Sequence, residues 1–177
     1  AATNSGSDLS NAVFTITAQP PASICTGPVG GQYTCSISLN AGWNLISLPV
    51  IVSDTAIASV LSGITDYTIQ YYDSVTGLWK TYNGSVGDLT TMEDGKGYWI
   101  NMTIAPLPLT VTGVKTSVAP FPSPTYNVLS GWNLIGFKST ISQSTPTYLQ
   151  TLPASSYTLL NAGNENKNSG SMNSGEG

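Results

Sequence analysis

Few side chains in this chain could carry chemistry. Of its 177 residues, nine are Asp or Glu and five are Lys, and there is neither Arg nor His. The usual general base, the imidazole metal ligand and the guanidinium clamp for phosphate are therefore missing. Nucleic acid binding requires a basic face that neutralises phosphates. The composition therefore argues against a nucleic acid partner.

The acidic residues do not form a recognisable site. Asp88, Glu93 and Asp94 could in principle hold calcium, but their spacing fits no known calcium loop, and a solvated turn is the better interpretation. Two carboxylates could also hydrolyse a glycosidic bond, yet nothing singles out a pair. Ser-His catalysis is impossible without His, and nothing supports a Ser-Lys pair. We expect no catalytic residue, no metal and no cofactor, and hence a protein that is not an enzyme.

The two cysteines are ten residues apart. Cys25 and Cys35 flank a Gly/Pro-rich turn, an arrangement typical of a disulfide across a hairpin; the alternative is two buried thiols. We predict the disulfide, which in the loop-entropy model stabilises by roughly 2–3 kcal/mol. Such a bond favours an exported protein.

The four tryptophans allow two interpretations. Their rings could stack on sugars, or they could pack in the core. Trp43 recurs in similar surroundings as Trp132, which favours the core for these two residues. Trp79 and Trp99 remain candidates for glycan stacking.

Several features favour an extracellular location. Asn83-Gly84-Ser85 and Asn101-Met102-Thr103 match the N-glycosylation pattern, so Asn83 and Asn101 are candidates for covalent glycans, and the Ser/Thr-rich segments could carry O-linked sugar. The first residues are Ala1-Ala2-Thr3 rather than Met, as expected after removal of a leader. No apolar run approaches the ~18 residues of a membrane span.

The elements that would position these residues are organised by an internal repeat. Gly42-Trp43-Asn44-Leu45-Ile46 returns as Gly131-Trp132-Asn133-Leu134-Ile135, 89 residues later (132 − 43 for the Trp pair). The same spacing places Ser53 on Ser142 and Val60 on Leu149. We infer a duplication in which the first copy continues through Trp99 and the second is cut short.

Alternating apolar residues and frequent Gly/Pro turns indicate an all-β fold. We expect β-sandwich modules, immunoglobulin-like or jelly-roll-like, with one or two short helices. The predicted strands include Gln32–Leu39, Trp43–Val50, Gly97–Thr103, Leu107–Gly113 and Trp132–Lys138, and the pair Tyr67–Tyr71 and Leu78–Tyr82 is predicted to form a hairpin. Short helices are predicted after a cap at Ser53-Asp54 and from Thr145-Pro146.

Composition divides the chain into four segments. Residues 1–20 form an arm with a free strand, 21–118 a complete β module, 119–125 a Pro-rich linker, and 126–177 a partial second copy with a polar tail from Asn161 that could not fold alone. We refer to 21–118 as the first module and to 126–177 as the second copy.

An ordered series of motifs resembles a known family. Gly42-Trp43-Asn44-Leu45-Ile46, Trp79, Gly95-Lys96-Gly97-Tyr98-Trp99-Ile100 and the closing Gly131-Trp132-Asn133-Leu134-Ile135 are similar to a β-rich module that recurs in tandem in secreted and surface-anchored proteins of bacteria and archaea. The resemblance covers about residues 39–137. It implies an extracellular structural or adhesive domain without catalytic residues.

A spare strand and an incomplete copy suggest how the chain functions. The strand comprises Ala12, Val13, Phe14, Thr15, Ile16, Thr17 and Ala18, followed by Pro20-Pro21. If it fills the gap of the second copy in another subunit, with Ala12, Phe14 and Ile16 in the groove, the contact is head-to-tail and builds a filament of identical subunits. The alternatives are a monomeric carbohydrate-binding or adhesion module whose strand pairs within its own chain, and a fragment of a larger surface-layer protein.

Overall fold

The fold is seen in a computed structural model that describes residues 23–104, 108–115, 125–153, 156–160 and 168–175. The predicted donor strand, residues 12–18, lies outside the described residues. The strands are β1 (Ser23–Val29), β2 (Gln32–Ile37), β3 (Gly42–Ser47), β4 (Ile51–Val52), β5 (Tyr67–Asp73), β6 (Leu78–Tyr82), β7 (Gly97–Met102), β8 (Leu109–Val114), β9 (Gln143–Ser144) and β10 (Ser171–Met172), with helices α1 (Ile57–Val60) and α2 (Thr145–Tyr148).

The strands form antiparallel sheets, which confirms the all-β class. One four-stranded sheet has the order β1-β2-β8-β4 and the other the order β3-β7-β5-β6, while β9 pairs only with β10 among the described residues. The hairpin predicted from the alternation around Tyr71 is β5–β6, in which Tyr72 lies opposite Trp79.

Period-two alternation places one face of each large sheet in a common core. In β7, Tyr98, Ile100 and Met102 are buried, and in β8 Leu109 and Val111 are buried. These residues belong to one apolar cluster, to which both large sheets contribute. A smaller cluster belongs to the second copy and consists of Phe137, Tyr148, Leu149 and Met172.

The predicted disulfide is present. Cys25 and Cys35 lie directly opposite each other on β1 and β2 with Cα atoms 4.0 Å apart, and their sulfurs are bonded. The hairpin between them turns through Gly30 and Gly31, whose φ values of +59° and +83° favour glycine. The bond therefore ties the outer strand β1 to the centre of its sheet.

Two predictions about local structure were wrong. The second copy of the repeated motif is not a strand over Trp132–Lys138, because among the described residues Ile135 forms only an isolated bridge to Lys96. The first helix begins at Ile57 rather than after a cap at Asp54, whose Oδ1 instead accepts from the Ala56 amide at 2.9 Å in a preceding turn.

The described part of the polar tail does not stand alone. Residues 168–175 pack against the rest of the protein, with β10 paired to β9 and Met172 and Ser174 buried. The helix predicted at Thr145-Pro146 is present as α2, and the Ser144 side chain accepts from the Thr147 amide at its start.

Candidate functional site

The two repeated segments, Gly42–Ser47 and residues 131–136, are called the first and second signature segments. In the first, Asn44 Oδ1 accepts from the Asn40 amide at 2.8 Å, and Asn44 Nδ2 donates to the Asn40 carbonyl at 2.8 Å and to the Gly42 carbonyl at 3.0 Å. This clamp closes a tight turn at Gly42, where φ is +88°. The Asn side chain thus hydrogen-bonds backbone groups of the turn that pairing with a neighbouring strand would otherwise satisfy.

The second signature segment repeats the clamp atom for atom. Asn133 Oδ1 accepts from the Leu129 amide at 3.0 Å, and Asn133 Nδ2 donates to the carbonyls of Leu129 at 2.8 Å and Gly131 at 3.1 Å. Gly131 has φ +98°. The repeated motif therefore encodes a turn that presents the following residues as an extended edge.

The tryptophans of the motif are not core residues. The prediction that Trp43 and Trp132 lie in the core is wrong, since they are 50% and 69% exposed. The buried residues of the first segment are instead Asn44, Leu45, Ile46 and Ser47. The recurrence of Trp in the motif therefore does not mark a core position.

The two signature segments differ in what covers them. In the first module, β7 pairs along all of β3, from Gly42–Met102 to Ser47–Gly97. In the second copy, Leu134 and Ile135 are only half-buried where Leu45 and Ile46 are buried. Among the described residues, the second segment is bonded to the Asp94–Gly97 turn through the Gly97 amide to the Leu134 carbonyl at 3.3 Å and the Gly136 amide to the Gly95 carbonyl at 3.0 Å.

A polar joint fixes this contact between the first module and the second copy. Lys138 Nζ lies 3.3 Å from the Asp94 carboxylate, and both side chains are more than four-fifths buried. The Lys138 stem crosses Gly95, where a Cβ would clash with it. Tyr126 donates to the Gly136 carbonyl at 2.7 Å and pairs with Tyr148, whose hydroxyl accepts from the Lys138 amide at 2.9 Å. Burial raises the pKa of both tyrosine hydroxyls.

A second surface collects the candidate glycan-stacking residues. Trp99 lies on the outer face of β7, opposite the core-facing Tyr98, and is 6.3 Å from Trp43 in an edge-to-face pair. On the next two strands of the sheet, Tyr72 of β5 and Trp79 of β6 form a second ring pair at 5.4 Å. Because Gln70 pairs with Trp99 and lies two residues from Tyr72 on β5, all four rings share one face. We call Trp43, Trp99, Tyr72 and Trp79 the aromatic face.

Both candidate glycosylation residues border one groove of about 630 Å³. Asn83 is in an exposed turn, and its Oδ1 accepts from the amides of Ser85 and Val86 at 3.1 and 3.0 Å. Asn101 is in β7, opposite Trp43, and the hydroxyl of its sequon partner Thr103 donates to the Asp66 carbonyl. The loop position of Asn83 is the typical one for an N-glycan.

The three acids considered for calcium are separately engaged. Asp88 Oδ1 accepts from the Thr81 amide at 2.7 Å, Glu93 pairs with Lys96 at 3.1 Å, and Asp94 pairs with Lys138. Within the described ranges, no group of three or more acids, Cys or His is placed to hold a metal ion.

Two features of the signature segments and of the turns bonded to them were missed from the sequence. The role of Asn44 and Asn133 could have been found from the repeated Gly-x-Asn spacing, since Gly and Asn are the residues of tight turns. The pattern Met92-x-x-Gly95-x-Gly97 also returns as Met172-x-x-Gly175-x-Gly177, 80 residues later (172 − 92).

Comparison of the chain with protein-family models, with curated proteins and with solved structures gave no match. Neither α1 nor α2, nor any other helical stretch of the described ranges, has the length and apolar character needed to cross a bilayer.

Proposed function

We propose that the protein is a structural, non-enzymatic subunit of an extracellular filament, assembled head-to-tail by donor-strand complementation. The observation that carries the proposal is the second signature segment. It has the same Asn clamp as β3 but, within the described residues, only a single bridge in place of the six register pairs between β3 and β7. Such an edge is a template for another strand.

Apolar surface at the second signature segment would favour the addition of a strand there. Trp132 is 69% exposed, and Val128 and Leu129 of the preceding turn are about half exposed. A strand whose apolar face covers the half-buried Ile135 would remove apolar surface from water at roughly 25 cal/mol per Å² and would extend the backbone hydrogen bonding of this edge.

Residues 12–18 have the required pattern. Ala12, Phe14 and Ile16 alternate with Val13, Thr15 and Thr17, and Pro20-Pro21 end the strand. If one subunit donates this strand to the next, donor and acceptor surfaces differ, so the contact repeats without closing and produces a fibre.

The extracellular location and the glycans belong to the same proposal. The disulfide, the low charge and the two sequons on one groove support an exported, glycosylated subunit. Partners other than identical subunits and covalent glycans are not required.

Electron microscopy tests the filament directly. The full chain should form filaments, and a chain lacking residues 1–20 should remain folded without forming them. Phe14→Ser should abolish assembly because it removes a groove-facing ring, whereas Val13→Ser, on the opposite face of the strand, serves as the matched control and should assemble. Monomers from the full chain over a wide concentration range would contradict the proposal.

A second candidate function rests on the aromatic face. Two ring pairs with Gln70 and Asn101 beside them combine stacking surfaces with amides that can hydrogen-bond hydroxyls, as a monomeric carbohydrate-binding or adhesion module requires. Binding to a glycan array should then disappear in Trp99→Ala and Trp79→Ala. Trp132→Ala is the control, because this exposed ring lies outside the aromatic face.

A further inference from the structure

The end of the described chain repeats the turn that leads into β7. Met92 and Met172 are both buried, and Gly95 and Gly175, three residues further on, both have φ +79°. The turns are also held alike. The Ile57 amide at the start of α1 donates to the Thr90 carbonyl at 3.0 Å, and the Thr145 amide at the start of α2 donates to the Gly170 carbonyl at 2.9 Å.

The two turns are bonded crosswise to the two signature segments. The Gly136 amide donates to the Gly95 carbonyl at 3.0 Å, and the Ser47 amide donates to the Gly175 carbonyl at 2.9 Å. Ser47 and Gly136 are equivalent positions of the repeat, 89 residues apart (136 − 47). Each turn therefore bonds to the signature segment of the other half, as expected if an approximate two-fold axis relates the halves.

This symmetry defines where a strand belongs. In the first module the Gly95 turn leads directly into β7, which lies along β3 with Tyr98 opposite Ile46 and Asn101 opposite Trp43. Applying the same relation to the second copy places a strand along residues 131–136, with its core-facing residues opposite Asn133 and Ile135. Trp132, the equivalent of Trp43, has no ring against it among the described residues.

Residues 12–18 match β7 in two ways. Their residue types are similar, and the strands that follow them in the chain have similar positions in the sheet. Phe14 and Ile16 have the spacing of Tyr98 and Ile100, two of the three core-facing residues of β7. A Pro-containing link joins residues 12–18 to β1, just as another Pro-containing link joins β7 to β8. The strands that follow, β1 and β8, flank the same strand, β2.

We propose that residues 12–18 of one subunit occupy the β7 position of the second copy in the next subunit, antiparallel to residues 131–136. The register places Phe14 opposite Ile135, Ile16 opposite Asn133 and Thr17 opposite Trp132. This assignment rests on the proposed filament and names its acceptor edge and its register.

Paired cysteines test the register on the full chain. Because directly opposite residues of antiparallel strands bring their Cβ atoms within about 4.5–5.5 Å, Thr17→Cys with Trp132→Cys should oxidise to a ladder of covalent multimers. Thr15→Cys with Trp132→Cys is displaced by two residues, and Thr17→Cys with Thr112→Cys places the acceptor on β8. Neither control pair should give a ladder. Filaments imaged before oxidation verify that each variant folds and assembles.

The outcomes separate the register from the filament. Filaments in which only a control pair cross-links, or no pair does, would overturn the assignment and leave the filament standing. A Thr17–Trp132 bond found by mass spectrometry only within single chains would retain the edge and register but contradict donation between subunits, and with it the filament.

Discussion

Asn44 and Asn133, 89 residues apart, make the same three hydrogen bonds to the backbone of the turn that precedes them. The two sites differ in their surroundings, because Asn44 is buried in a strand paired with β7 and Asn133 is partly exposed. The repeat therefore preserves the turn closed by Asn, whereas among the described residues only the first module has a strand paired along the signature segment.

Replacement of the two Asn residues should show this difference. Asn44→Ala leaves buried amide and carbonyl groups without partners, so we expect a loss of about 2–3 kcal/mol in the free energy of unfolding. Asn133→Ala in the unassembled chain should lose no more than about 1 kcal/mol, since water can replace the bonds. Urea unfolding of the two variants measures both values, and equal losses would contradict the account.

The contact between the first module and the second copy should be sensitive to one glycine. A Cβ on Gly136 would overlap the Lys96 carbonyl and the Ser47 side chain, so Gly136→Ala should destabilise the joint by about 1–3 kcal/mol. Faster hydrogen exchange of residues 134–138 would report the loosened joint. Gly30→Ala, at a positive φ in open space, is the control and should leave that exchange unchanged.

Stability should decline in alkali. Burial raises the pKa of Tyr98, Tyr126 and Tyr148 above the ordinary tyrosine value of 10.0. The folded state therefore keeps protons that the unfolded state releases, so the stabilisation is complete below pH 10 and is lost as the pH rises beyond it. Thermal midpoints at pH 7, 9, 10 and 11 measure this decline.

Tyr98→Phe should flatten part of the alkaline decline. It also removes the hydroxyl that accepts from the Glu93 amide at 2.8 Å, so the variant should be less stable at neutral pH. Tyr33→Phe keeps all three buried hydroxyls and should retain the wild-type profile. An unchanged slope in Tyr98→Phe would show that the buried hydroxyl does not contribute.

Glycosylation can be assigned site by site. Trypsin cleaves after Lys80, Lys96 and Lys115, so Asn83 and Asn101 fall on separate peptides. We expect material from the native source to carry extra mass on the 81–96 peptide, because Asn83 is in an exposed turn. Asn83→Gln should remove it. A bare Asn83 with full occupancy elsewhere would contradict this prediction.

The sequence predicted the features that short-range patterns determine. Alternation marked β5, β6, β7 and β8, and the Gly/Pro turn between Cys25 and Cys35 indicated the disulfide. It misplaced Trp43 and Trp132, because recurrence of a ring does not distinguish a core position from an exposed one beside an Asn clamp. The second signature segment was predicted as a strand because its residues suit one, but strand pairing also requires a partner.

The crosswise bonds of Ser47 and Gly136 could not be predicted from the chain. Their only trace in the sequence is the recurrence of Met92 and Gly95 as Met172 and Gly175. That recurrence is weak, because the residues around these positions differ between the two copies. Their pairing depends on how two halves pack, and periodicity within one segment carries no information about that.

The central claim is that a neighbouring subunit completes the second copy, and a side-chain-resolution reconstruction of filaments of the full chain by electron cryomicroscopy tests it most directly. The account predicts a strand along residues 131–136, with Phe14 opposite Ile135, that continues into β1 of another subunit. A strand traced to β1 of the same subunit, or an edge at 131–136 without any strand, would contradict it.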